Sequence, residues 1–248
     1  MQTAPSNYNS IYEEGNYETQ YKVNIDGVDY DQSYIWSMKT SRKLFADNKP
    51  TIGGAMDGQI DLTIMNPGVT FSRMARIRPY IRLYSKTRRI YSGWLQKGEF
   101  FIDTRESDDA DDIKTITIQG FDAMRKANQV YPSSTLTWNA SGPTAYNVVR
   151  EIAGFMFNTT YYGGSSYIEQ ETITKLNATP YVIGFPAQYT MAEVLGSIAA
   201  MYGGNFCISS TGKLMLVSLT DLPEETYLLM NEKGNYITFG GVRIKLRA

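Results

Sequence analysis

Histidine is missing from all 248 residues of this chain. Its absence removes Ser-His-Asp and Cys-His catalysis, and every His-ligated zinc site with them. Acid/base work would fall to carboxylates, lysine or tyrosine. Cysteine is nearly missing too. Cys207 stands alone, so one chain forms neither an internal disulfide nor a cysteine-built metal site. No run of about 18 apolar residues occurs, and none reads as a bilayer-spanning helix. Neither sign of charge dominates: 24 Lys and Arg against 25 Asp and Glu leave −1, so no global field draws the chain to nucleic acid or an anionic surface. The N-terminal twenty residues are polar and acidic, without the basic-then-apolar order of a signal peptide. Neither a phosphate loop nor a dinucleotide fingerprint is present.

What is plentiful is tyrosine, 19 residues, a type favoured on β surfaces and at interfaces because its ring packs while its hydroxyl stays paired. The length suits one large domain or two small ones with ample core. Residues 1–16 read as a flexible polar arm. From Tyr17 strand signals dominate. Tyr21 and Val23 lead into Asn24-Ile25-Asp26-Gly27, with Val28 to Tyr30 beyond, and Asp-Gly between β-favouring runs predicts a hairpin. Tyr34-Ile35-Trp36 continues in that style. Ile60, Leu62 and Ile64 then alternate with polar neighbours until Asn66-Pro67-Gly68 closes the strand.

Arg73 to Arg89 carries seven basic residues and no acid. At strand spacing Arg76, Arg78, Tyr80, Arg82 and Tyr84 share one face, while Ile77, Ile81 and Leu83 share the other. Pro79 cannot donate to a ladder and suggests an edge position or a bulge. The stretch from Ile90 to Lys126 predicts two strands flanking an acidic loop, followed by a Gly-led turn and a short helix. Ile116 and Ile118 alternate there with Thr115, Thr117 and Gln119. A β-rich domain thus closes near Arg125.

After Tyr131-Pro132-Ser133-Ser134 the period changes. Ala145, Val148, Val149, Ile152, Ala153 and Met156 mark an amphipathic helix, with Ser141 as N-cap and Pro143 in the first turn. Thr190-Met191-Ala192-Glu193 is a capping box. Val194, Leu195, Ile198, Ala199 and Tyr202 form its helix's apolar stripe, and Gly203-Gly204 ends it. Phe206 to Leu219 reads as a hairpin turning at Ser210-Thr211-Gly212. Residues 127–222 are therefore expected to be α+β. A last hairpin is expected around Glu232-Lys233-Gly234-Asn235, and the chain stops at Ala248 in strand character, as a piece of a longer protein would.

The acidic loop holds Asp103, Glu106, Asp108, Asp109, Asp111 and Asp112. A calcium loop needs ligands at fixed offsets around a glycine, which this loop lacks, so it reads as a solvated hairpin tip. The Arg/Tyr strand has the residue types that grip phosphates. With acids close in sequence and a neutral chain, these arginines are expected instead to pair within the fold or across a subunit boundary. The candidate subunit interface is Arg76, Arg78, Tyr80, Arg82 and Tyr84. Glu99 and Asp103 would lie roughly 13 Å apart along a strand, too far for a glycosidase pair. No residue set reads as catalytic, cofactor-binding or metal-binding. The sequons at Asn139, Asn158 and Asn177 read as chance occurrences.

Two segments carry a family resemblance. YSGWLQKGEFFIDTR followed by ITIQGFDAM resembles the end of the first β-barrel in phage baseplate-hub and tail-associated proteins. There a strand, a variable loop and a strand lead into Gly-Phe/Tyr-Asp. TMAEVLGSIAAMYGGNFCISSTGKLMLVSL, approached by TPYVIGFPAQYT, is similar to the helix–Gly–strand–turn–strand unit of the same families, shared with phage late-control and secretion-spike proteins. The likeness covers residues 20–246. It implies a mainly β fold with an α+β part: an antiparallel tube-type β-barrel at 17–125, a small two-helix α+β domain at 127–222, and a C-terminal β-hairpin at 223–248 that would begin a second barrel. The implied role is a non-enzymatic virion component, made in the bacterial host cytoplasm, that joins tail tube to tip at the baseplate hub. Its implied partners are further copies, in a homotrimer of the full-length form, together with tail tube, distal tail and tape-measure proteins. DNA would pass without being held, and neither cofactor nor membrane anchor is implied. Two rival readings are a carbohydrate-binding or adhesin β-module using Trp36, Trp94 or Trp138, and a glycan or peptidoglycan hydrolase working with carboxylates alone.

Overall fold

The computed structural model describes residues 4–42, 44, 51–108, 114–132, 136, 142–186, 188–219, 226–228, 238–239, 242–243 and 245–247. Nine strands form one sheet: β1 (Tyr17–Ile25), β2 (Val28–Asp31), β3 (Ile35–Ser41), β4 (Gln59–Met65), β5 (Arg76–Ser85), β6 (Ile90–Tyr91), β7 (Leu95–Gln96), β8 (Phe100–Asp108) and β9 (Thr115–Phe121). Its order is β2-β1-β5-β8-β9-β4-β3, with β6 and β7 added beside β5, and the pairings are antiparallel. The expected hairpin is present. Ile25 pairs with Val28 around Asp26 and Gly27, both at positive φ, the backbone twist that a two-residue turn needs.

The sheet is strongly curled. β2 and β3 stand at its opposite ends, yet only residues 32–34 join them, a link spanning no more than about 14 Å. Curling also explains the core. Val23 and Ile25 of β1, Ile77 of β5, Ile102 of β8, Ile116 and Ile118 of β9 and Ile60, Leu62 and Ile64 of β4 pack into one cluster, with Ile35 and Met38 of β3 against it. Each such side chain fully removed from water contributes roughly 1.5–3 kcal/mol. The expected barrel is corrected on one point: among the described residues no ladder joins β2 to β3, so the sheet remains open.

Pro79 is not on an edge strand. β5 pairs with β1 along its whole length, Pro79 opposite Val23. On its other side β5 passes from β8, at Arg76 and Ile77, to β7, at Tyr80 and Ile81. The Pro79 carbonyl faces this side and accepts from Lys97 N at 2.8 Å. In a strand N and C=O of one residue point the same way, so the missing N–H falls at the hand-over, where no donor is needed.

The expected flexible arm is in part a helix. α1 (Tyr8–Glu14) buries Ile11 completely and is pinned to the end of β5 and the turn beyond it, where Ser85 Oγ donates to Glu14 Oε1 at 2.7 Å and Arg88 Nε to Oε2 at 2.8 Å. Past β9 the helical turn expected there is a 3₁₀ turn at Ala123–Asn128. It is led not by Gly120, which pairs within β9 opposite Ile102, but by Asp122, whose Oδ1 accepts from Met124 N at 3.0 Å.

A second lobe follows, with its own core. It contains α2 (Ala145–Met156), α3 (Gln170–Ala178), α4 (Met191–Met201), β10 (Gly204–Ile208) and β11 (Leu214–Ser218). All six apolar positions expected on α2 are fully buried. Its N-cap is Thr144, with Pro143 just ahead of it rather than in the first turn, whereas Ser141 lies outside the described residues. The capping box of α4 forms in full. Thr190 Oγ1 accepts from Glu193 N at 3.2 Å, and Glu193 Oε2 accepts from Thr190 N at 2.7 Å. β10 and β11 pair as the expected hairpin. α3 was not expected, since its apolar face reduces to little more than Leu176.

The lobes are stitched by backbone. Residues 51–56 run beside β10: Gly53 N donates to Gly204 O at 2.9 Å, Phe206 N to Gly54 O at 2.8 Å, and buried Asn205 accepts from Gly54 N at 2.6 Å while donating to Thr51 O at 2.7 Å. Near the C-terminus β12 (Thr226–Leu228) pairs with β15 (Lys245–Arg247), and β13 (Thr238–Phe239) with β14 (Val242–Arg243). The expected turn at Glu232-Lys233-Gly234-Asn235 lies outside the described residues.

Candidate interaction face

The outer surface of β1 and β5 is where sequence reasoning placed its candidate interface. Alternation puts Glu18, Gln20, Lys22 and Asn24 of β1 outward. Antiparallel register sets them opposite Tyr84, Arg82, Tyr80 and Arg78 of β5. β6, β7 and the link between them add Tyr91, Trp94 and Gln96 along the far side of β5. The five candidates do share this face.

Cations and rings interleave across it. The Lys22 ammonium lies 5.0 Å from the Tyr80 ring centre and 5.1 Å from that of Trp94. The Arg82 guanidinium lies 4.1 Å from Tyr91 and 4.4 Å from Trp94. Tyr84 and Tyr91 rings meet at 4.7 Å. Such pairs attract through the ring quadrupole and stiffen long side chains that would otherwise wave in water.

The arginines divide into two kinds. Arg78 Nε donates to Glu99 Oε2 at 2.7 Å, and Arg76 approaches the other oxygen at 3.8 Å, so both share one nearly buried carboxylate. Arg82 has no carboxylate within ion-pair distance among the described residues, and its Nε donates to Gln20 Oε1 at 2.9 Å. Lys22 is paired with Asp29 at 2.9 Å, and that hydrogen bond, with one from Asn24, holds the Asp29 carboxyl below its usual range. Sequence reasoning missed Glu99, Gln20, Lys22, Tyr91 and Trp94 as members of this face. Their alternation is visible in the sequence, but register decides which of them meet.

Other recesses are weaker candidates. A polar groove of about 940 Å³ between the lobes has Arg42 and Lys97 on one wall and Glu169 and Glu171 on the other. Glu169 already accepts from Ser209 Oγ at 2.6 Å and Thr211 Oγ1 at 2.8 Å. A separate recess beside Arg73, Phe101 and Arg125 is lined by Asp122, 4 % exposed, with Oδ2 accepting from Gly58 N at 2.8 Å. Burial outweighs its two backbone donors and pushes its carboxyl up to about 7. Cys207 is pushed up to about 11, mainly by burial, so its thiol stays protonated and unreactive at neutral pH. Glu99 and Asp103, weighed earlier as a carboxylate pair, are each engaged by arginines, Asp103 by Arg73 at 3.9 Å. No group of three potential metal ligands occurs among the described residues. Asp109, Asp111, Asp112 and Trp138 lie outside the described residues.

No family model matches the sequence, and no curated protein does. Among solved structures, the prophage MuSo2 43 kDa tail protein from Shewanella oneidensis is similar at 15 % identity with a TM-score of 0.49, over 85 % of this chain and 59 % of that one. The tail protein from Neisseria meningitidis MC58 is similar at 10 % identity with a TM-score of 0.48, over 89 % of this chain and 63 % of that one. This chain therefore spans under two thirds of the length of either tail protein.

Proposed function

We propose that this chain is a structural protein of a phage or prophage tail, working at the baseplate hub by assembly rather than by catalysis. The observation that carries this reading is the outer face of β1 and β5. Tyr, Trp and Arg are the residue types that dominate the energetics of protein interfaces, because they bring large apolar area with few rotamers to freeze. Here Tyr80, Arg82, Tyr91 and Trp94 are arranged in advance by cation–π contacts, and Tyr84 by its ring contact with Tyr91. Binding then costs little ordering entropy. Arg82 offers a positive charge that no acid among the described residues satisfies, the kind of residue a neighbouring subunit would meet.

The family resemblance supplies the partners: further copies in a threefold ring, then tail tube, distal tail and tape-measure proteins. A ring that conducts DNA should not hold it, since each phosphate neutralised adds affinity through counterion release. Arg76 and Arg78 share the single carboxylate of Glu99, which offsets one of their two charges and so reduces, without removing, what this face offers a phosphate. A glycan-binding module would need a bare aromatic platform; Trp94 is engaged by two cations, which leaves exposed Trp36 as the described residue on which that rival rests.

Native mass spectrometry of the chain across a concentration series tests the reading. Trimers are expected, lost in the double substitution Arg82→Ser, Tyr84→Ser while the thermal melt is retained. A monomer at all concentrations, or tight salt-sensitive binding to duplex DNA, would sink it.

A further inference from the structure

A second cation–aromatic cluster sits far along the chain, on α2. The Arg150 guanidinium lies 3.8 Å from the Tyr161 ring centre, 5.2 Å from Tyr146 and 5.3 Å from Tyr162. Tyr146 stands one turn earlier on the same helix, at the i, i+4 spacing that stacks side chains on one face. Tyr161 and Tyr162 come from the loop after α2, which folds back on the helix. Thr159 N donates to Gly154 O at 2.8 Å and Gly164 N to Thr160 O at 3.0 Å. At Gly164 a Cβ would sit 2.1 Å from the Arg150 carbonyl oxygen, so only glycine lets the loop lie this close. The cage is therefore held by backbone as well as by its rings.

Stacking occupies the faces of a planar guanidinium and leaves its in-plane N–H edge free. Among the described residues no acceptor meets the enclosed Nε of that edge at Arg150, and no carboxylate lies within ion-pair distance. Arg73, Arg76, Arg78, Arg88 and Arg125 each have an acid, and Arg82 has Gln20. A desolvated donor with no acceptor is costly, and a guanidinium fork is the group that best matches a carboxylate with two parallel hydrogen bonds. Of the described cations only Arg150 lies over these three rings. One positive charge matches one carboxylate better than a doubly charged phosphate. Tyr162, 76 % exposed, provides an apolar rim at the entrance.

The geometry points to Arg150, caged by Tyr146, Tyr161 and Tyr162, as a receptor for a carboxylate side chain of an acidic polypeptide partner. The site lies in the second lobe, on elements separate from the β1–β5 face, and it stands or falls independently of the tail assignment.

The test is titration of the full chain with hexaglutamate, followed through the arginine Nε–Hε resonances by NMR. Saturable movement of the Arg150 resonance is expected. Arg150→Lys keeps the charge but loses the fork, and should weaken binding by about tenfold with an unchanged thermal melt. Tyr162→Ser, at an exposed position, should weaken it severalfold, and serves if Arg150→Lys fails to fold. The exposed Arg89→Lys should leave affinity unchanged. The proposal is overturned if Arg150 does not respond, if Arg89→Lys costs as much as Arg150→Lys, or if inorganic phosphate at equal concentration shifts Arg150 as strongly as the peptide.

Discussion

Gly196 of α4 and Gly53 of the stitching segment meet backbone to backbone, so that a Cβ at position 196 would lie 2.5 Å from the Gly53 carbonyl oxygen. This contact sets how closely the second lobe sits on the segment leading into β4. In an exposed helix interior, Gly→Ala would stabilise by up to about 1 kcal/mol. Gly196→Ala should do the reverse here and cost roughly 1–3 kcal/mol, since the obstacle is main chain and cannot rotate away. Urea unfolding of the two proteins decides the sign, and a stabilised variant would contradict the contact.

Stability should pass through a maximum in mildly acidic solution. The Asp122 carboxyl is raised from 3.8 to about 7 in the folded chain. A raised carboxyl contributes stability that is complete below pH of about 4 and disappears as pH climbs through about 7. The change is on the order of 4 kcal/mol at 1.36 kcal/mol per unit. Carboxyls held low act oppositely. Asp31, lowered by Ser33, and Glu193, lowered by the Thr190 N–H, lose their contribution as the medium becomes more acid. Thermal melts from pH 3 to 9 should rise and then fall, and Asp122→Asn should flatten the alkaline side.

Thr190→Ala removes half of the capping box and should cost about 1 kcal/mol. Glu193 would still accept from residue 190 N, so α4 should shorten rather than melt. Far-ultraviolet circular dichroism with chemical denaturation measures both effects.

Glu99→Gln should cost about 1 kcal/mol and no more. The carboxylate is nearly buried, but Arg76 and Arg78 are half or a third exposed, so solvent already screens the attraction. Repeating the unfolding in 1 M NaCl should shrink the difference. An undiminished difference would mean that the Arg78–Glu99 hydrogen bond matters more than the charge.

Much of this fold is local and therefore legible. The alternation of Ile60, Leu62 and Ile64, the Asp26-Gly27 turn and the Thr190/Glu193 box each depend on residues within a few positions of one another, and all formed as read. α1 escaped notice because seven residues with only Ile11 buried have no detectable period. Its order comes from Ser85 and Arg88, more than seventy positions away. Of the two positions read for Pro79, the edge fails and the bulge holds: residues 97–99 face only Arg78 and Pro79 where β8 yields to β7.

Local chemistry in the sequence determined which residues alternate, which cap and which cannot donate, and hence the outward row of Arg76, Arg78, Tyr80, Arg82 and Tyr84. Tertiary structure alone decided that Glu99 is shared by two of those arginines while Arg82 is left to the rings of Tyr91 and Trp94, and that Arg150 is caged with no acceptor for its Nε among the described residues. The reason is physical. Pairing and caging fall off within a few ångströms, and only register and loop placement bring side chains that close across tens of positions.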